Sequence, residues 1–169
     1  MCGIIGITGR KSVTDRLVDG LKRLEYRGYD SSGIAVLTNG SLQRERAEGK
    51  IKNLEAKLNA ANIDGQSGIA HTRWATHGVP NETNAHPHFS GRVGVVHNGI
   101  IENFLELRKE LSKTREFRTE TDTEVVAHLV DAALEQGDNP KDAFRKSLKQ
   151  LTGAYAFGVI IDGVADQIF

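Results

Sequence analysis

A single cysteine stands in the 169-residue chain, and it lies directly behind the initiator methionine in the opening stretch MCGIIGITG. Cysteine is often a small buried hydrophobe, so one reading of Cys2 is a core residue of a first strand. Its position supports another. Methionine aminopeptidase removes Met1 when the next residue is small, which leaves Cys2 carrying a free α-amino group. That group titrates at about 7.7–8.0, so near neutral pH a useful fraction of it is an uncharged base. Nucleophile and general base then share one residue, directly or through a water, and no histidine partner is needed. The chemistry this suits is acyl transfer, in which the thiol attacks an amide, a thioester forms and the amino group carries the proton to the leaving amine.

Such a reaction needs donors aimed at the developing oxyanion. His97-Asn98-Gly99 closes an apolar strand and offers an Asn side-chain amide beside a Gly backbone N–H. Read alone, Asn-Gly is also an ordinary turn signal.

The elements that must position these residues follow from periodicity. Cys2 to Thr8 reads as a buried strand between glycines. Val13, Leu17, Val18, Leu21 and Leu24 recur at helical spacing, with Ser12 as cap and Arg27-Gly28 as the stop. Ser32 to Thr38 and Ser41 to Ala47 form a hairpin around the type I′ signal Asn39-Gly40. Ile51, Leu54 and Leu58 predict a short helix, and Gly68 to Arg73 and Arg92 to His97 predict strands separated by a loop with Gly78, Pro80 and Pro87. Three helices follow, around Phe104 to Leu111, Asp122 to Leu134 and Lys141 to Leu151. The second carries a capping box, Thr121 with Glu124, and the third an Asn139 cap with Pro140 in its first turn. Ala154 to Ile161 is a strand, Asp162-Gly163 a turn, and Ala165 to Phe169 begins a further strand. With no polar tail after that strand, the chain reads as truncated, with an unpaired sheet edge there.

Six blocks in order, CGIIG, LEYRGYDSSGIAV, HTRWATHG, NAHPH, VVHNGIIEN and TETDTEVVAHL, closely resemble the glutaminase domain of the glutamine-fructose-6-phosphate aminotransferase family. The similarity runs over essentially the whole chain, and EYRGYD and HTRWATHG favour this family over related amidotransferases. The resemblance implies an N-terminal-nucleophile hydrolase fold, an α+β four-layer αββα sandwich, here apparently incomplete at its C-terminal end. It implies that residues 1–169 are a glutaminase domain whose sugar-phosphate isomerase domain is absent.

Roles follow residue by residue from the resemblance. Cys2 would be the nucleophile, Asn98 and the Gly99 amide the oxyanion hole, and Arg27 and Gly28 the lining of the nucleophile's pocket. Arg73 would pair with the substrate α-carboxylate, a task suited to a planar bidentate guanidinium. Thr76 and His77 would help it, Asp122 would accept the α-ammonium group, and Trp74 would sit on the mobile loop that closes over the substrate. The implied substrate is L-glutamine, hydrolysed to glutamate and ammonia, with the ammonia serving conversion of fructose 6-phosphate to glucosamine 6-phosphate on the absent isomerase domain. A homodimer completes the partners that the resemblance implies.

Composition narrows the remaining classes. The 22 basic and 22 acidic side chains cancel, so nucleic acid and anionic membrane gain no general attraction. No apolar run reaches the ~20 residues of a membrane helix and no signal peptide is recognisable, so the expected compartment is the cytoplasm, where a free thiol persists. No cofactor is expected. His86-Pro87-His88 lacks the further ligands a transition metal needs, and no metal is expected. His71, His97 and His128 fall in strand or helix patterns as structural histidines, and the Arg-Glu alternation from Gln43 to Glu48 reads as a solvated strand face. Two function classes stay open: a glutaminase, or a catalytically silent glutamine-binding or regulatory remnant.

Overall fold

The computed structural model describes residues 2–169. It contains β1 (Gly3–Thr8), α1 (Thr14–Leu24) with a 3-10 turn (Glu25–Arg27), β2 (Ser31–Thr38), β3 (Ser41–Glu48), α2 (Ile51–Ala61), β4 (Ser67–Arg73), β5 (His88–Ser90), β6 (Val93–Ile101), α3 (Phe104–Leu111), α4 (Glu124–Glu135), α5 (Pro140–Leu148) and β7 (Gly153–Ile161). Two antiparallel sheets result, one in the order β1-β4-β2-β3 and the other β5-β6-β7.

Side chains alternate across a strand, so each strand serves two layers at once. On β2, Ile34 and Val36 join Leu17, Leu21, Ile51 and Leu54 in a core between the first sheet and α1 and α2. Ala35 faces the other way, toward Ile69 of β4 and Val96 and Ile160 of the second sheet. A third core places Val93, Val95, Val159 and Ile161 against Val125, Val126, Leu129 and Val130 of α4 and Ala143 of α5. The layer order is therefore helix, sheet, sheet, helix. Both faces of the central strands are covered, which explains why β2 and β4 are buried almost throughout.

Parity then places the functional positions. His71 shares the face of Ile69, and Asn98 shares the face of Val96, so both point into the space between the sheets. Thr72 stands opposite Gly3 in the pairing of β4 with β1, which sets Cys2 beside the end of β4.

Several local expectations needed correction. Ser12 does not cap α1; Val13 occupies the cap position without a side-chain bond, and its N–H donates to the Gly65 carbonyl at 2.9 Å. The Thr121–Glu124 capping box does not form either. Glu124 reaches back to the N–H groups of Arg118 (2.9 Å) and Thr119 (2.8 Å), and Thr121 pairs with His88 at 3.2 Å. Asn98-Gly99 is no turn, because β6 runs through it to Ile101 paired with Ala156 and Tyr155 of β7. Residues 165–169 form no strand, although Phe169 exchanges both backbone hydrogen bonds with Val159 (2.8 and 3.0 Å). The Asn39-Gly40 hairpin and the Asn139 cap with Pro140 stand as read from the sequence.

Candidate active site

A cleft of about 620 Å³ opens where the C-terminal end of β4, the middle of β6 and the segment before α4 converge on Cys2. Cys2, Arg27, Arg73, Trp74, Thr76, His77, Asn98, Gly99 and Asp122 all line it. Gly28 lies beneath its rim: with φ +75°, a Cβ there would stand 3.0 Å from Trp74 Cζ3, so the indole rests on a surface that only glycine leaves open.

The thiol is half-buried and held by backbone. Trp74 N–H donates to Cys2 Sγ at 3.2 Å, and Sγ in turn faces the Trp74 carbonyl at 3.5 Å. Asn98 Nδ2 donates to the Cys2 carbonyl at 3.3 Å, across the gap between the sheets. Next to it Gly99 adopts φ +122°, and an added Cβ would meet the Ala154 carbonyl oxygen at 2.1 Å. Any other residue would break the β6–β7 contact, so the close backbone approach explains the glycine. An amide nitrogen and a glycine backbone thus lie side by side at the cleft that Cys2 also lines.

The cleft carries one cation and one anion in its buried walls. Arg73 donates through its Nη atoms to the carbonyls of His77, Gly78 (3.4 Å) and Val79 (3.3 Å), which shapes the loop that follows β4. Burial pushes its pKa down, with Asp30 the main opposing charge. Five N–H groups in a fork leave donors for a ligand after these bonds. Asp122 is 4% exposed; its Oδ2 accepts the Ile101 N–H at 2.9 Å, while Oδ1 lies 3.8 Å from His97 Nδ1. Thr76 Oγ1 meets His77 Nδ1 at 3.3 Å, and the His77 ring packs edge-on to Phe104. Trp74 is 56% exposed at the mouth rather than in the core.

Three supporting side chains, Asp30, Asn84 and Glu120, went unassigned in the sequence, and a fourth, His71, stood there only as a structural histidine. Asp30 accepts the Ala75 N–H at 2.6 Å through Oδ2, and its own N–H donates to the Arg73 carbonyl at 2.8 Å, which anchors the start of the Trp74 loop. Asn84 donates to Val79 O (3.0 Å) and to Glu120 (2.9 Å), while Glu120 accepts Val79 N–H at 3.2 Å, which ties the loop's far end to the segment before Asp122. Hydrogen bonds from Asn84 and Val79 hold the Glu120 carboxyl below its usual pKa. His71 bonds Asn98 from below. The motif blocks that contain Asp30, His71, Asn84 and Glu120 marked these positions as part of the resemblance without giving them a role.

The histidines and arginines also gain roles that composition did not separate. His86 stacks on His71 (centroids 4.2 Å apart) and accepts the His97 N–H at 3.2 Å, and its Nε2 faces Thr123 Oγ1 at 3.3 Å. Burial drives the pKa values of His86, His88 and His97 down. Arg44 and Arg46 are not a solvated face. They donate to the carbonyls of Pro87 (3.1 Å), Thr83 (2.8 Å) and Ala85 (2.9 Å), bracing the loop that carries His86, and burial pushes the Arg44 pKa down to about 10. No described helix is long and apolar enough to cross a membrane.

Comparison with known proteins bears on this arrangement. Residues 71–169 match the family model described as a glutamine amidotransferase domain. The glutamine-fructose-6-phosphate aminotransferase (isomerizing) of Caulobacter vibrioides is 59% identical over 99% of this chain, and that of Bradyrhizobium diazoefficiens is 59% identical over 98%. The chain spans 28% of the length of each of these relatives. Among solved structures, glutamine phosphoribosylpyrophosphate amidotransferase from B. subtilis superposes with a TM-score of 0.79 at 30% identity, over 95% of this chain and 35% of that one. Its likeness identifies the helix-sheet-sheet-helix sandwich as the N-terminal-nucleophile amidotransferase fold. With fold, sequence and family model in agreement, the chain belongs to the class II glutamine amidotransferase domain family.

Proposed function

We propose that residues 1–169 form a glutaminase domain that hydrolyses L-glutamine to glutamate and ammonia through a Cys2 thioester. The observation that carries this reading is the convergence, in one cleft, of a thiol, an Asn amide beside a glycine backbone, a buried guanidinium and a buried carboxylate. The last two match the two ends of a glutamine zwitterion, with Asp122 toward the ammonium and Arg73 toward the carboxylate, Thr76 and His77 beside it.

After loss of Met1, the α-amino group of Cys2 takes the thiol proton and Sγ attacks the glutamine amide carbon. Negative charge moves to the carbonyl oxygen, where Asn98 Nδ2 and the Gly99 N–H receive it. Arg27 walls the pocket, and Gly28 leaves room for the Trp74 indole at its rim. Collapse breaks the carbon–nitrogen bond as the ammonium proton passes to the leaving nitrogen, releasing ammonia. Water then adds to the thioester, its proton returning to sulfur, and glutamate leaves.

By the relatives' names, we assign the ammonia to fructose 6-phosphate, bound on a portion outside these residues. Trp74, exposed at the mouth, is the residue best placed to gate the exchange. The setting is cytoplasmic.

The test is glutamate release from glutamine by the 169-residue chain after intact mass has verified that Met1 is gone. Turnover that disappears in Cys2→Ala supports the reading. Glutamine binding without turnover in a folded, processed chain would replace it with that of a silent glutamine-binding remnant.

A further inference from the structure

His71 belongs to β4 in the first sheet, and Asn98 to β6 in the second. The imidazole Nε2 lies 3.0 Å from the His97 carbonyl oxygen and 2.9 Å from Asn98 Oδ1. A carbonyl oxygen has no proton to give, so the bond to His97 exists only when Nε2 carries the hydrogen. Burial pushes the His71 pKa down to about 4, so near neutral pH this is the ring's only N–H hydrogen. Nδ1 then holds a bare lone pair, and it is indeed buried without a partner among the described residues.

The consequence falls on Asn98. An N–H directed at its amide can meet only the oxygen, since a flipped amide would set two donors against each other. The Asn98 nitrogen must therefore face the other way, toward Cys2, where it donates to the Cys2 carbonyl. The stack of His71 on His86 fixes the plane of the ring that makes this choice.

We propose that His71 is a positioning residue for acyl transfer, its Nε2–H locked by the His97 carbonyl and holding the Asn98 amide with its nitrogen toward the nucleophile. The role rests on the glutaminase reading above, and it requires the imidazole as a directed donor rather than as core volume.

Three substitutions separate the two. In His71→Gln the side-chain nitrogen reaches the position of Nε2, whereas in His71→Asn it stops at the level of Nδ1, and His71→Leu has no donor. The Asn and Leu variants should lower kcat for glutamine hydrolysis about 10–100-fold, short of the about 100–1,000-fold that follows removal of an oxyanion donor because Asn98 stays but loses its alignment, with the glutamine KM within about 3-fold of wild type. The Gln variant should recover most of the rate. Equal losses in Gln and Asn, or a change in KM alone, would overturn the role.

A wild-type spectrum decides the matter even if the variants do not fold. A long-range proton–nitrogen correlation at pH 7.5 should show His71 protonated at Nε2, and protonation at Nδ1 would overturn the proposal. A wild-type chain that releases no glutamate removes the glutaminase reading, while the spectrum still reports whether His71 dictates the Asn98 amide.

Discussion

The Trp74 backbone nitrogen lies 3.2 Å from the Cys2 sulfur, so the loop that carries the exposed indole also grips the thiol. Movement of that loop and the environment of the thiol are thereby one event. Asp30 holds the near end of the same loop, and Asn84 with Glu120 the far end.

Arg73→Lys should raise the glutamine KM about 10–100-fold, since a point charge replaces a fork whose charged hydrogen bonds contribute about 1.5–3 kcal/mol each. Because the guanidinium also binds the carbonyls of His77, Gly78 and Val79, the melting temperature should fall as well. Steady-state kinetics with a thermal melt checks both; an unchanged KM removes the carboxylate clamp.

Asp122→Asn keeps an oxygen for the Ile101 N–H but loses the charge. The expected outcome is a folded protein whose glutamine KM rises about 10-fold or more while kcat changes less, because an ion pair with the substrate ammonium is lost from ground state and transition state alike. Calorimetric titration with glutamine on a Cys2→Ala background measures the same loss without turnover.

Gly99→Ala places a Cβ 2.1 Å from the Ala154 oxygen at φ +122°. Destabilisation on the order of 2–3 kcal/mol and loss of turnover should follow, as at other backbone positions that exclude side chains. Urea unfolding of the variant gives the number, and wild-type stability would show that β6 and β7 separate here at little cost.

Acid should destabilise the domain in two steps whose signs can be worked out. The folded pKa of His71 is lowered to about 4, and those of His86 and His88 also fall. Between that range and the unfolded value of about 6.5, the unfolded chain binds more protons, so stability drops as pH falls below 6.5, by about 1.4 kcal/mol per pH unit for each such imidazole. For Glu124, desolvation raises the pKa, but bonds from His128, Arg118 and Thr119 outweigh it and bring the value to about 2. Its stabilisation is present above about pH 4.5 and disappears as pH falls toward 2. Urea midpoints at pH 5, 6, 7 and 8 should be flat at the alkaline end and decline on the acid side; a midpoint that rises on acidification contradicts the buried neutral histidines.

Strands and helices were legible wherever the signal was local. The apolar run Ile34, Ala35 and Val36 before the Asn39-Gly40 turn and the helical spacing of Leu17, Val18 and Leu21 each needed only neighbours a few residues away. Thr121 and Glu124 misled because the same side chains had better partners outside the box, distant His88 for one and the backbone of Arg118 and Thr119 just before the helix for the other. Asn98-Gly99 carried a turn signal, yet β7 arrives from more than fifty residues later to pair with it. The charged pair Arg73 and Asp122 was named from motif resemblance, and the structure puts both in the cleft wall. His71 opened one motif block and read as a structural histidine, but its link to Asn98 left no local mark, because that partner lies in the other sheet.

The hydrogen bonds that shape the cleft join residues far apart in the chain: Cys2 with Trp74 across 72 residues, and Asn98 with Cys2 across 96. Neither sheet alone contains both a thiol and its amide donor. During folding, helices and hairpins assemble before contacts of such long range close. On the proposed function, competence for acyl transfer therefore arrives last, when the two sheets dock. In a refolding experiment, recovery of turnover should lag recovery of far-ultraviolet circular dichroism, which makes the reaction a reporter of sheet docking rather than of secondary structure.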